Sequence, residues 1–233
     1  MSASSALRTL TLTALLAAGA GAGAQDAPEG PPEATEQQVA DLVQAWYDQT
    51  RTMTASFVQR YRNPTYDRTV TSRGQIRVQR PGRMRMDYAE PNGQVVVTDG
   101  QRVLSYEPPE PGERRGQYFE RRVEEDQLPS ALAFLTGSGR LADFRPRLLS
   151  SADRGFSGWV LELRPRTPSP HYERIVLYVD ARERFRGVVR RVVVIDADGN
   201  SNRYDFTGQR FNAAVADDVF AYRPPGDARR IDP

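Results

Sequence analysis

The chain has 233 residues, with 32 basic side chains against 30 acidic ones, a single histidine and no cysteine. Every basic residue is an arginine, and the arginines are interspersed with Glu and Asp, which gives no sequence footprint for a nucleic-acid partner. The lack of cysteine excludes a disulfide framework, a thiol nucleophile and a lipid-anchored N-terminal cysteine.

The first segment has one positive charge at Arg8, a run of Leu, Thr, Ala and Gly over residues 10–24, and then Ala22-Gly23-Ala24. This pattern predicts a signal peptide over residues 1–24 with cleavage after Ala24, since the apolar run is too short to span a bilayer. Residues 25–34, rich in Pro, Gly and acidic groups, read as a disordered leader. A single domain is expected over residues 35–233.

Within that domain, Val39, Leu42, Val43, Trp46 and Tyr47 recur at helical spacing behind an N-capping Thr35, which predicts one amphipathic helix over residues 35–50. From Met53 the period changes to two. Short β-branched or aromatic runs are expected as strands over residues 53–58, 70–79, 84–88, 94–98, 102–107, 117–123, 144–149, 158–163, 172–179, 187–196 and 202–210. Asp99-Gly100 and Asp198-Gly199 read as type I′ hairpin turns. The oxygen-rich run 196–200 also has the look of a calcium loop, but no bidentate Glu follows at the required spacing. One apolar helix interrupts the strands over residues 128–135, where Leu128, Leu132, Phe134 and Leu135 leave no polar face. It must cover apolar surface, either as a plain cap or as a lid.

The fold class that follows is mainly β: an unclosed antiparallel barrel, or half-barrel, with an N-terminal helix and a second helix over it. Phe57, Ile76, Val78, Met84, Met86, Tyr88, Val95 and Val97 lie at alternating positions and either fill a closed core or line one concave face. Catalytic chemistry has no footing. His171 stands alone in a loop, no nucleophile motif is present, and the acidic run 124–126 reads as a solvated helix start. No catalytic residue, cofactor or metal site is expected.

Several ordered motifs point to one family. Ala55-Ser56-Phe57-Val58-Gln59 is followed by Gly74-Gln75-Ile76-Arg77-Val78-Gln79-Arg80-Pro81, then Tyr88 with Pro91, then Asp99-Gly100 with Tyr106, and near the end Phe220-Ala221-Tyr222-Arg223-Pro224-Pro225-Gly226. In order and spacing this resembles the LolA family of periplasmic outer-membrane lipoprotein carriers. The resemblance implies an apolar cavity for lipoprotein acyl chains, under a lid formed by the helix with Leu128, Leu132, Phe134 and Leu135. It also implies that Arg80 bonds to lid backbone and gates the cavity. The implied partners are acylated lipoproteins, an inner-membrane lipoprotein-releasing ABC transporter and an outer-membrane receptor or acceptor. The implied location is the periplasm of a Gram-negative bacterium, with the carrier a soluble monomer. Met84 and Met86 replace the larger aromatics of the family pattern, which implies an adaptable cavity wall. A half-barrel lipid or glycolipid sensor of the envelope is the other reading.

Overall fold

The computed structural model describes residues 31–123 and 140–232. The expected signal peptide, most of the leader and the helix carrying Leu128, Leu132, Phe134 and Leu135 lie outside these residues. The described chain opens with helix α1 (Glu36–Gln49) and continues into β1 (Thr52–Asn63), β2 (Arg68–Gln79), β3 (Arg83–Glu90), β4 (Val95–Asp99), β5 (Arg102–Glu107) and β6 (Gln117–Arg122). A second run follows: β7 (Phe144–Leu149), β8 (Trp159–Pro165), β9 (Arg174–Val179), β10 (Val189–Ile195), β11 (Ser201–Phe211) and the short β12 (Arg229–Arg230).

All twelve strands form one sheet in the order β12-β6-β5-β4-β3-β2-β1-β11-β10-β9-β8-β7. Two antiparallel meanders are thus joined through β1 and β11, and the sheet does not close on itself. One departure from the expected antiparallel plan is β12, which pairs parallel to β6. The apolar members of β1–β3 and β7–β11 merge with Val39, Ala40, Val43 and Tyr47 of α1 in a single core, so the sheet curls around that face.

Helix α1 begins with the capping box that Thr35 and Gln38 form. It packs against β7 and β8 with its buried stripe inward. Trp46 meets Phe211 edge-on at 5.1 Å. Just before the helix, residues 31–34 are tied down, because the Trp159 indole donates to the Pro32 carbonyl at 2.9 Å and Ala34 packs on the core. The end of the leader therefore docks on the domain.

Both expected Asp-Gly hairpins exist, but neither is a type I′ turn. Gly100 and Gly199 adopt positive φ (96° and 79°) while Asp99 and Asp198 do not. The last strand pairs are Thr98 with Val103 and Ile195 with Ser201, leaving four and five residues to turn. The aspartates close these wider loops from the side. Asp99 Oδ1 accepts from the Gln101 and Arg102 amides, and the Asp196 carboxylate accepts from the Asp198 and Asn200 amides and from Asn200 Nδ2. The Asp196 oxygens are thus committed within the turn.

Asp180, at the end of β9, is a buried acid that the sheet has to satisfy. Arg182 and Arg190 each reach its carboxylate, at 2.6 and 2.9 Å, and Gly187 N–H donates to its carbonyl. Burial pushes this carboxyl upward, but hydrogen bonds from the two arginines outweigh it and hold the group below its ordinary value. A depressed native value stabilises the fold above the unfolded pKa near 4 and loses that contribution as pH falls through the native one. Asp180→Asn is expected to cost about 2 kcal/mol at neutral pH, and to remove part of the acid-side decline in stability. Chemical denaturation of both proteins from pH 7 down to pH 3 measures both effects; parallel curves across that range would count against the assignment.

Candidate ligand-binding site

Pairing register decides which side chains share a face. Ile76 opposes Ala55 on one side and Met86 on the other, Val78 lies between Met53 and Met84, and Gly74 lies between Phe57 and Tyr88. Phe57, Ile76, Val78, Met84, Met86 and Tyr88 therefore share the concave face, and all six are buried in the common core. Phe57 forms the centre of an aromatic group, edge-on to Tyr88 at 5.0 Å and 6.3 Å from Tyr204.

Val95 and Val97 are the exception. Val96 opposes Met86, whereas Val97 opposes Arg85 and Val95 opposes Asp87. The two expected lining valines thus point to the outer face, and Val96 is the residue that packs against the core. A run of three valines has no alternation to read, and the turn between β3 and β4 alone sets which member faces inward. The outer valines are nevertheless buried. The C-terminal segment accounts for this by crossing that face. A 3-10 turn at Asp217–Phe220 packs on β3 and β4, Arg85 Nη1 donates to the Val219 carbonyl, and Arg83 pairs with Asp217 at 2.7 Å. Arg85 also stacks over Tyr222, whose ring lies 6.1 Å from that of Tyr106.

The sequence contains no cysteine, so single thiols can test this face assignment. A dye on Val96→Cys is expected to respond to an acylated ligand, and the same dye on Val97→Cys to remain silent; the reverse result would mean the register is wrong.

A polar group interrupts the apolar face where β1 meets β11. Gln59 Nε2 donates to Asn202 Oδ1 and to the Tyr204 hydroxyl, both at 3.0 Å, and Asn202 Nδ2 reaches the same hydroxyl at 3.2 Å. Burial pushes the Tyr204 hydroxyl up to about 12, against the hydrogen bonds of Asn202 and Tyr88. Tyr88 is raised as well, by burial and by its proximity to Tyr204. Both phenols hold their protons at physiological pH and are hydrogen-bond donors inside an apolar surround.

Arg80 follows β2, and its guanidinium lies 4.4 Å over the Tyr47 ring. Its Nη1 donates to the Tyr47 carbonyl in the last turn of α1. That turn contains no basic residue of its own, so Arg80 supplies the cation that a helix C-terminus favours. Burial pulls the Arg80 pKa down while Tyr47 and Asp48 support it. The Tyr47 phenol beneath is pushed up to about 12 by burial, with Arg80 opposing. Asn212, not anticipated from sequence, completes the attachment. Its Nδ2 donates to the Gln49 carbonyl and its Oδ1 accepts from the Arg51 amide. Arg80 therefore fastens the end of α1, a partner other than the lid backbone that the resemblance implies. The expected bonds to the lid fall outside the described residues.

Surface hollows of about 300, 490 and 400 Å³ border residues 31–34, α1 and the β7–β8 end, and none is lined by the six concave residues. The six concave side chains are themselves buried.

The described residues thus form an unclosed sheet curled around an apolar face, with the end of α1 held by Arg80 and Asn212. The family model for the outer membrane lipoprotein carrier protein LolA matches residues 48–223, and the chain belongs to that family. An outer-membrane lipoprotein carrier protein from Methylibium petroleiphilum is 27% identical over 189 residues, covering 81% of this chain and 86% of the relative. One from Cupriavidus taiwanensis is 30% identical over 160 residues, covering 69% and 70%. Among solved structures, a LolA-superfamily protein from Nitrosomonas europaea covers 81% of this chain and 98% of its own, at 16% identity and a TM-score of 0.42. The Methylibium and Cupriavidus relatives are named as carriers and not as enzymes. Among the described residues, no helix is long and apolar enough to cross a membrane, and no group of metal-ligating side chains occurs.

Proposed function

We propose that this protein carries lipoproteins across the periplasm of a Gram-negative bacterium by enclosing their acyl chains, taking them from an inner-membrane releasing transporter and passing them to an outer-membrane acceptor. The exported chain works as a soluble monomer, without catalysis. The observation that supports this most directly is the latch: Arg80 holds the end of α1 beside a buried apolar face.

The energetics ask for such a device. Burying an acyl chain of about 16 methylenes is worth on the order of 13 kcal/mol, and a lipoprotein has up to three such chains. A pocket that matched this fully would never release its cargo. Part of the binding energy has to be spent on opening, and breaking the charged hydrogen bond of Arg80, at about 1.5–3 kcal/mol, is one such cost. Phe57, Ile76, Val78, Met84, Met86, Tyr88 and Val96 form the acyl contact surface, with the two methionines adapting to chains of different shape. The segment with Leu128, Leu132, Phe134 and Leu135 is the lid that the family resemblance implies.

Mass spectrometry of the protein purified natively from the periplasm tests this. A co-purifying acylated protein is the expected result. A free lipid or glycolipid would favour the sensor reading, and a polar small molecule would overturn both.

A further inference from the structure

Charge that is interspersed in the sequence is sorted by the sheet. Outward-facing positions on β10, β11 and β1 include Arg60, Arg62, Arg191, Arg203 and Arg210, because they oppose, or alternate with, Ser56, Val58 and Asp205. The one carboxylate among them, Asp205, is shared by Arg60 at 2.9 Å, Arg203 at 2.7 Å and Arg191. Five positive charges against one leave this band at +4, while the whole chain is only +2. Three of the guanidinium groups are also held in place: Arg191 stacks 4.5 Å above Tyr178, and Asp205 anchors Arg60, Arg191 and Arg203.

The band runs along β1 into the β1–β2 hairpin. The tip presents Tyr66, 79% exposed; the other large hydrophobic side chain exposed among the described residues, Tyr61 at 39%, alternates with Arg60 and Arg62 and belongs to the opposite face of β1. The tip is fixed, since Asn63 Oδ1 accepts from the Tyr66 amide at 3.0 Å and the Pro64 carbonyl from the Asp67 amide at 3.3 Å. Asp67 and Asp198 occupy turns at this end, so the positive field belongs to the strands and not to the tip.

We propose that the outer face of β10, β11 and β1 docks on an anionic phospholipid surface, with Tyr66 entering the headgroup layer. Fixed guanidinium forks suit phosphate oxygens, and tyrosine favours the interface between headgroups and acyl chains. This face lies on the opposite side of the sheet from the acyl contact surface, so docking is independent of cargo.

Flotation of the purified protein with 3:1 phosphatidylethanolamine–phosphatidylglycerol vesicles, against pure phosphatidylcholine, tests the proposal. Binding to the anionic vesicles is expected, weakening as salt is raised. Arg62 and Arg210 are both exposed and form no described ion pair, and each change to Ser is expected to weaken binding about five-fold with the circular dichroism spectrum intact. A polarity-sensitive dye on Tyr66→Cys, the sole thiol of that variant, should shift to the blue on anionic vesicles. Equal binding to neutral vesicles, no loss in the Arg62→Ser/Arg210→Ser protein, or an unshifted dye each overturns the proposal.

Discussion

Arg80→Leu is expected to take up lipoprotein as the parent does and to deliver it to acceptor membranes roughly 10- to 100-fold more slowly. The reasoning runs through the empty state. With Arg80 in place, closing the protein after release regains a charged hydrogen bond to the Tyr47 carbonyl and a favourable contact with the α1 C-terminus. Together these stabilise the closed form by about 2–3 kcal/mol. Leucine removes that gain without touching the apolar face proposed to hold the acyl chains, so the loaded form becomes relatively more stable. The discriminating assay follows transfer from the loaded protein to outer-membrane vesicles; an unchanged rate removes Arg80 from the release step. The Tyr47 carbonyl keeps its bond from the Thr50 amide, at 3.2 Å, so the helix end retains one partner in the variant and the fold should survive.

Gly74→Ala should be the most damaging of the conservative changes, lowering stability by about 3 kcal/mol and the melting temperature by roughly 6–12 °C. A β-carbon at this position would lie 2.1 Å from the Asp87 carbonyl oxygen and 2.9 Å from the Phe57 ring. The first of these is backbone on the neighbouring strand and cannot rotate away. Register between β2 and β3 shifts between Arg73 and Gly74, and only a residue without a side chain lets the carbonyl turn inward there. Relief has to come from parting β2 and β3, and the added β-carbon also presses on Phe57, which contacts both Tyr88 and Tyr204, so binding of an acylated ligand should fall together with stability. Thermal unfolding of the purified variant checks this, and a melting temperature within 2 °C of the parent would show that the strands part easily.

The two glycine-centred and arginine-centred effects were legible to different degrees. Gly74 and Arg80 both stand in the motif run that resembles the LolA family, so the sequence marked them. It could not say that Gly74 sits under Phe57, or that Arg80 reaches α1. Period-two alternation located the strands well where, as in β1–β3, one face lies in the core and shows it in its residues. It failed at Val95-Val96-Val97, where both faces are covered, one by the core and the other by the C-terminal turn with Phe220. Residues that act by reaching across the fold left no local trace. Asn212 fastens α1 from more than 160 positions away, and β12 takes its parallel place beside β6 with a two-residue strand too short to pattern. The outward arginine band is invisible for the same reason, since each member is flanked in sequence by neighbours that point the other way.

The central pairing of β1 with β11 sets an order on how the protein can be made. Side chains such as Arg60 and Asp205 meet across 145 positions, while β1 to β6 are linked by short hairpins. The first meander can assemble from local contacts as soon as it emerges, yet the exposed edge of its first strand has no partner until residues 201–211 arrive. In the export proposed above, a chain threaded N-terminus first through a translocation channel would lack this central pairing almost to its end. The β1–β11 pairing would then form after passage, and until it does the apolar face of the proposed carrier would lie open to the lipid beside the channel.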